Sequence, residues 1–224
     1  MDKIFSIAID GPAGAGKSSV AKKAAELLGA KYLDTGAMYR TMGLYFLRLG
    51  LLENPAEMAA RVDEVPIEVR FVNNKQFMFL GDEDVSEEIR TEEASSTASK
   101  VSAVPEIRTR MVAMQREIAA GSSIIMDGRD IATIVLPNAT LKIFITARPE
   151  VRAMRRYKQL LEKGKEAVYE KVLEDIVQRD YNDSHRAASP MEIAEGAIVM
   201  DTSDMSFEQS VNEIIRLLEQ KVEG

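Results

Sequence analysis

The sequence predicts an α/β protein in which a five-stranded parallel sheet lies between two layers of helices. Short, nearly continuous apolar runs recur along the chain, which is typical of strands buried on both faces. Segments with helical apolar periodicity separate these runs, as in parallel α/β folds. A glycine-rich loop joins the first run to the first helix, which favours the same class. The predicted strands cover residues 4–9, 31–34, 124–126, 141–146 and 197–201.

Composition narrows the functions that the chain can have. With 224 residues the chain is long enough to bury a full sheet between helices. Its 36 acidic and 29 basic residues give a net charge of −7, which argues against a nucleic-acid polymer or a membrane as partner. The sequence has no cysteine, so disulfides and thiolate chemistry are excluded. Because no signal-like or membrane-spanning apolar run occurs, we expect the protein in the cytoplasm. We also expect a monomer that acts on small molecules.

The first loop, GPAGAGKS at 11–18, matches the pattern G-x-x-x-x-G-K-[ST]. Glycines let consecutive backbone N–H groups turn around an anion, and the following helix directs its positive end at the same point. Lys17 adds a cation for the β- and γ-phosphates, and Ser18 adds a hydroxyl for Mg²⁺. A glycine-rich connection without a ligand is the alternative. The motif predicts an ATP site formed by Gly11, Pro12, Ala13, Gly14, Ala15, Gly16, Lys17, Ser18 and Ser19.

A second anion site is predicted after the second strand. Gly29 is expected to end the first helix, and a further helix is expected from Ala37 to about Leu49. Backbone N–H groups at the start of that helix, the Thr35 hydroxyl and Arg40 could hold an anion together. Alternatively, Thr35 is an N-cap and Arg40 is a surface charge.

Residues 62–100 differ in pattern from the rest of the chain. Alternating segments at 66–72 and 76–81, joined by a turn at 73–75, predict an antiparallel hairpin. Such a hairpin does not fit a parallel sheet, so residues 62–100 are predicted to be an inserted subdomain. The core then comprises residues 1–61 and 101–224.

The second half of the chain contributes two further groups of candidate residues. Pro105 is expected to begin a helix with an apolar stripe formed by Ile107, Met111, Met114 and Ile118, and the next strand ends in Asp127-Gly128-Arg129-Asp130. In an open parallel sheet, ligands bind at that end of the strands. Asp127 lies beside the P-loop and could orient a water on Mg²⁺, or it could simply cap a loop.

An arginine-rich helical segment follows the fourth strand. It extends from Arg148 to Arg186, and the charged stretch around Gly164 at 162–166 predicts a turn or hinge within it. A charged helical pair is often only a solvated surface. In a chain that also has a P-loop, it predicts a lid over about 150–167 that closes on the phosphates and excludes water.

Five motifs together resemble the bacterial cytidylate kinases, a family of nucleoside monophosphate kinases. They are, in order, GPAGAGKSS, DTGAMYR at 34–40, TASKV at 97–101, DGRDIAT at 127–133 and RDYNDSHR at 179–186, and they span nearly the whole chain. The resemblance implies transfer of the ATP γ-phosphoryl group to CMP or dCMP, with Mg²⁺ as cofactor, and it makes 62–100 the NMP-binding subdomain. Ala132 stands where we expect glycine.

The resemblance also implies roles for individual residues. Thr35, Arg40 and Arg129 would hold the acceptor phosphate, and Ser99, Arg108 and Asp130 would read the base. Arg179 and Asp183 would contact the sugar. Lys17, Arg129, Arg155 and Arg186 would act in catalysis, and Ser18 and Asp127 would serve the metal.

Donor and acceptor patterns make the base assignment chemically reasonable. Cytosine presents an amine at N4 beside acceptors at N3 and O2, so a carboxylate such as Asp130 can accept from N4 while Arg108 donates. Uracil presents an acceptor in place of the amine, which predicts a preference for CMP over UMP. The acceptor phosphate has a second pKa of about 6 and needs no general base at neutral pH. His185, the single histidine, is therefore expected to be non-catalytic.

Three other kinds of protein also carry a P-loop. A regulatory GTPase predicts the patterns N-K-x-D and D-x-x-G, and neither occurs in this sequence. A P-loop kinase for another nucleotide or a small hydroxylated metabolite, and a non-catalytic ATP-dependent scaffold, remain as alternatives.

Overall fold

The computed structural model describes residues 4–185 and 189–223. Its strands are β1 (Ser6–Asp10), β2 (Lys31–Asp34), β3 (Ile67–Val72), β4 (Lys75–Leu80), β5 (Glu83–Asp84), β6 (Ile124–Asp127), β7 (Leu141–Thr146) and β8 (Ile198–Asp201). Its α-helices are α1 (Lys17–Leu28), α2 (Thr35–Arg48), α3 (Pro55–Ala60), α4 (Glu92–Ser102), α5 (Pro105–Ala119), α6 (Pro149–Glu162), α7 (Tyr169–His185) and α8 (Phe207–Glu223). One π-helical turn covers Ile131–Val135.

The main sheet has five parallel strands in the order β2-β6-β1-β7-β8. The central strand β1 pairs Ile9 with Asp127 of β6 on one side and with Ile143 of β7 on the other. Helices α1 and α8 cover one face of the sheet, and α2 and α5 cover the other. The predicted three-layer fold is confirmed. It brings the P-loop, Asp127 and the loop after β6 to the same edge of the sheet.

The segment between α3 and α5 contains the predicted hairpin. Strands β3, β4 and β5 form a three-stranded antiparallel sheet, and Asn73 and Asn74 make the turn with positive φ of 50° and 60°. Helix α4 crosses α2 so closely that a Cβ on Gly43 would lie only 2.1 Å from Thr97 Oγ1. Met78 and Val85 join the same hydrophobic cluster as the core strands. The assignment of residues 62–100 to a separate inserted subdomain stays a prediction.

Helices α6 and α7 pack on one another through a small cluster of their own, formed mainly by Ala153, Leu160, Val172 and Ile176. They are joined through Gly164, whose φ is +71°. The expected helical pair is therefore present, with its turn where the glycine lies. Among residues 4–185 and 189–223, no helix combines the length and the apolarity needed to cross a bilayer.

Helix α2 begins two residues earlier than expected, because Asp34 rather than Thr35 caps it. The Asp34 carboxylate accepts a hydrogen bond from the Ala37 N–H at 2.8 Å. Thr35 is instead the first residue of the helix, and its hydroxyl is free to bond elsewhere. The N-cap alternative for Thr35 was therefore wrong.

Candidate active site

The P-loop conformation depends on its glycines. A Cβ on Gly11, whose φ is +142°, would lie 1.9 Å from the Ile145 carbonyl oxygen of β7. Gly16 immediately precedes α1 and has a φ of +85°. The loop thus lies tightly against the sheet while the positive end of α1 points into it. A cavity of about 470 Å³ opens beside it, lined by Arg155, Arg156, Gln159, Thr202, Met205 and Phe207.

Lys17 is buried at the start of α1, with 5% of its surface exposed. Its Nζ donates a hydrogen bond to the Pro12 carbonyl oxygen at 2.7 Å. Burial and the positive charge of Arg129 lower its pKa from 10.5 to about 7, although Asp127 and Asp10 oppose that change. The ammonium is therefore held inside the loop, where an anionic ligand would restore its ordinary basicity.

Asp127 links α1, β2 and α2 through its carboxylate and its backbone carbonyl. Ser18 Oγ donates to its Oδ2 and the Tyr32 hydroxyl donates to its Oδ1, each at 2.7 Å. The Thr35 hydroxyl donates to the Asp127 backbone carbonyl, also at 2.7 Å. Burial, followed by the nearby charge of Asp34, raises the pKa of Asp127. A Ser hydroxyl and a carboxylate at this distance are the oxygen ligands that Mg²⁺ prefers, so these residues fit that ion.

A group of arginines lies beside this region. Arg40 Nη2 donates to Asp34 Oδ2 at 2.8 Å, and Arg129 Nε donates to Asp183 Oδ2 at 2.6 Å. The pKa of Arg179 is lowered by partial removal from water and then by the positive charge of Arg129, with smaller effects from Arg156 and Arg40. These guanidinium groups repel one another, so an anion placed between them would be stabilised.

Arg108 and Asp130 form a buried ion pair near the arginine group. Arg108 Nη2 donates to Asp130 Oδ2, and only 7% and 9% of the two side chains are exposed. Arg108 also lies 3.4 Å from the carbonyl oxygen of Ser102 at the end of α4. Ser99 lies one turn earlier on that helix, with its side chain exposed. The pair offers both a strong donor and a strong acceptor to a ligand edge.

Asp10, at the end of β1, fixes the loop that carries Asp130. The two carboxylate oxygens of Asp10 accept from the N–H groups of Ile131 and Ala132 at 2.8 and 2.7 Å. Burial raises the pKa of Asp10 to about 6, although both N–H groups oppose the rise. Ala132 is not among the residues with positive φ, so alanine is accommodated without strain where glycine was expected.

The structure brings most of the predicted site residues into two neighbouring groups. Lys17, Ser18, Thr35 and Asp127 meet beside the P-loop, and Arg40, Arg129, Arg179 and Asp183 meet in the second group. Arg155 lies on the cavity side, where its Nη2 donates to the Thr202 carbonyl at 2.6 Å. Arg186 lies outside the described residues.

Sequence reasoning did not assign Tyr32, Asp34 or Asp10 to the site, and it left Arg152 without a role. Arg152 is 3% exposed and donates to the P-loop carbonyl of Ala13 at 3.0 Å. It also pairs with Asp180 of α7 at 2.6 Å. The four-residue spacing of Arg148, Arg152 and Arg156 could have indicated Arg152 as a site residue. No local pattern distinguishes Tyr32 from an ordinary strand residue.

A P-loop that faces converging arginines at the carboxyl end of a parallel sheet defines a P-loop phosphotransferase. A gluconokinase structure from Sinorhizobium meliloti superposes with a TM-score of 0.51 at 15% identity, covering 99% of this chain and 96% of that one, and so shows the fold alone. Residues 7–220 match the family model for cytidylate kinase. The chain belongs to the cytidylate kinase family.

Relatives with that name are similar over almost their whole length. The cytidylate kinase of Mycobacterium leprae is 48% identical, with 96% of each chain covered. The one from Caldanaerobacter subterraneus is 49% identical over 97% of this chain and 96% of the relative, and the one from Streptococcus pyogenes is 47% identical over 99% and 97%. These similarities confirm the predicted family and the phosphotransferase class.

Proposed function

We propose that this protein transfers the γ-phosphoryl group of ATP to the phosphate of CMP or dCMP, giving ADP and CDP or dCDP. The observation that carries the proposal is the buried Arg108–Asp130 pair beside the arginines that face the P-loop. This arrangement provides one site for a triphosphate and, next to it, a site for a phosphate that bears a base with both donors and acceptors. Cytosine fits because Asp130 can accept from N4 while Arg108 donates to N3 and O2.

The residues divide between the donor and the acceptor. The P-loop N–H groups and Lys17 hold the triphosphate, and the cavity lined by Arg155 and Met205 receives the nucleoside. Thr35, Arg40 and Arg129 hold the phosphate of CMP. Arg179 and Asp183 contact the ribose, and Ser99 contributes to the base site from the exposed side of α4.

Transfer proceeds by attack of a CMP phosphate oxygen on the γ-phosphorus, while the bond from that phosphorus to the bridging β-phosphate oxygen breaks. The acceptor is already ionised at neutral pH, because its second pKa is about 6, so no proton must be removed. Lys17, Arg129 and Arg155 stabilise the charge that spreads over the transferring group. Arg186 is assigned to this role by the family pattern alone.

Ser18 and Asp127 would hold Mg²⁺. When bound, the ion neutralises phosphate charge and aligns the donor. Tyr32 keeps the Asp127 carboxylate oriented, because its hydroxyl occupies the second carboxylate oxygen at 2.7 Å. We place the reaction in pyrimidine nucleotide metabolism in the cytoplasm, carried out by a monomer.

The test is a panel assay of ADP formation with CMP, dCMP, UMP, AMP and a hydroxylated acid such as shikimate. We expect CMP and dCMP to have the highest kcat/KM. Preferential use of a hydroxylated acid would overturn the proposal, and so would ATP turnover without phosphorylation of any acceptor.

Two lysines of α1 provide a matched pair of variants. Lys17→Met should abolish transfer, because it removes the cation inside the loop. Lys23→Met should leave transfer unchanged, because Lys23 lies on the exposed face and pairs with Glu26 at 3.1 Å. Equal loss in both variants would show that the effect is on folding and not on phosphate binding.

A further inference from the structure

The antiparallel hairpin contacts the main sheet through the side chain of Gln76. This residue lies on β4, and its Oε1 accepts a hydrogen bond from the Asp34 backbone N–H at 2.7 Å. Its Nε2 donates to the Asp34 backbone carbonyl at 3.3 Å. One side-chain amide thus pairs with both backbone groups of one residue, much as a neighbouring strand would.

Asp34 needs such a partner because β2 is an edge strand of the five-stranded sheet. At the other end of β2, the Lys31 N–H bonds to the Ser123 carbonyl at 3.0 Å, on the side of β6. Backbone groups of successive residues point to alternate sides of a strand, so those of Asp34 point away from β6. Gln76 therefore satisfies edge groups that the sheet itself leaves open.

The side chain of Asp34 in turn sets the geometry at the start of α2. One carboxylate oxygen accepts from the Ala37 N–H and the other from Arg40 Nη2, each at 2.8 Å. Arg40 Nε is buried and has no hydrogen-bond partner in the described part of the chain. Arg40 is thus oriented from one side by Asp34, and the position of Asp34 depends on Gln76.

Other contacts attach the hairpin at the opposite end of β2. Lys31 Nζ lies 5.4 Å from the centre of the Phe71 ring, and Asn74 Nδ2 donates to the Gly29 carbonyl at 3.4 Å. These contacts hold the hairpin in place without involving Asp34. Gln76 differs from them because it binds the residue that orients Arg40.

We infer that Gln76 is a positioning residue for the acceptor phosphate, acting through Asp34 and Arg40. The inference rests on the proposed function, in which Arg40 holds the phosphate of CMP. It gives the hairpin a role in acceptor binding and none in ATP binding.

The test variant is Gln76→Met, which keeps the length of the side chain and removes both hydrogen bonds to Asp34. It also removes the hydrogen bond that Nε2 donates to Met78 Sδ at 3.0 Å within β4. We expect the KM for CMP to rise about five- to tenfold, as the loss of two partly exposed hydrogen bonds would produce. The KM for ATP should stay within about twofold. The matched control is Asn74→Gly, which removes the contact to Gly29, tolerates the φ of 60°, and should leave both KM values unchanged.

A double-mutant cycle with Arg40→Met separates positioning from a general structural effect. If Gln76 acts through Arg40, adding Gln76→Met to Arg40→Met should change the KM for CMP little further. Fully additive effects, or an unchanged KM for CMP in Gln76→Met, would overturn the inference. If Gln76→Met fails to fold, Gln76→Glu replaces it. It keeps the acceptor for the Asp34 N–H and loses only the donor to the Asp34 carbonyl, so a smaller rise in the KM for CMP, about two- to fivefold, is expected. Failure of the unmodified protein to phosphorylate CMP would instead overturn the proposed function.

Discussion

Replacing Asp130 with asparagine tests the base site directly. The substitution keeps the size of the side chain and one oxygen that can accept from Arg108, but it removes the negative charge and adds an N–H donor. Because Asp130 and Arg108 are only 9% and 7% exposed, water cannot readily compensate for a lost contact. The new amide would oppose the N4 amine of cytosine and could donate to O4 of uracil.

One good contact to a base edge contributes about 1–3 kcal/mol of discrimination. That range corresponds to a fall of about 5- to 150-fold in the ratio of kcat/KM for CMP to kcat/KM for UMP. The assay is steady-state ADP formation with each nucleotide at fixed, saturating ATP. Thermal unfolding of the variant is measured in parallel, because Arg108 loses a charged partner in a buried position.

Asp183→Asn is the matched control within the same site. Asp183 accepts from Arg129 at 2.6 Å, and we assign it to the sugar, which CMP and UMP share. Its loss should lower kcat/KM for both nucleotides by similar factors and leave their ratio unchanged. The base assignment is refuted if Asp130→Asn keeps the CMP/UMP ratio within about twofold of the unmodified protein.

Three other predictions concern the donor side. Gly11→Ala should destabilise the protein by about 3 kcal/mol or more, because its Cβ would lie 1.9 Å from the Ile145 carbonyl oxygen. Gly29→Ala should destabilise it by only about 1–2 kcal/mol, because its Cβ would enter open space and only the left-handed backbone conformation is unfavourable. Equal shifts in Tm would contradict this reasoning. The pKa of Lys17 is about 7 in the ligand-free protein, so ATP binding at pH 8 should take up a proton, and binding at pH 6 should take up much less. Calorimetry in buffers of different ionisation enthalpy measures that uptake, and Lys17→Met should lose it. Between about pH 7 and 10.5 the unfolded chain binds more protons at this site than the folded one, so this site makes the protein more stable as pH rises through that window.

Much of the core was predictable because its strands carry a local signal. The parallel strands are buried on both faces and appear as apolar runs, and β7 has the bounds that were expected for it. The P-loop was predictable for a related reason, since its glycines and lysine serve one ligand at fixed spacing. The Asn73–Asn74 turn was also visible, because few residues adopt positive φ easily.

The remaining features depend on contacts between distant segments. Helix α4, rich in Ser and Thr, was not predicted, and it is held by packing of Thr97 against Gly43 of α2. The π-helical turn after Asp130 depends on two hydrogen bonds to Asp10, which is 121 residues away from Ile131. The pairing of Arg40 with Asp34 and the contact of Tyr32 with Asp127 likewise appear only in three dimensions. Neither has a sequence pattern that separates it from a surface charge or a strand residue.

The contact between Gly43 and Thr97 also bears on how the molecule can move. Thr97 occupies the hollow left by the missing side chain of Gly43, so α2 and α4 cannot slide or rotate independently of each other. Because Met38 and Met42 of α2 are fully buried in the core cluster on the main sheet, the same contact ties α4 to that sheet. Arg40, in the first half of α2, and Ser99, on α4, are thereby held in a fixed relative position, so the proposed phosphate and base sites keep one spacing.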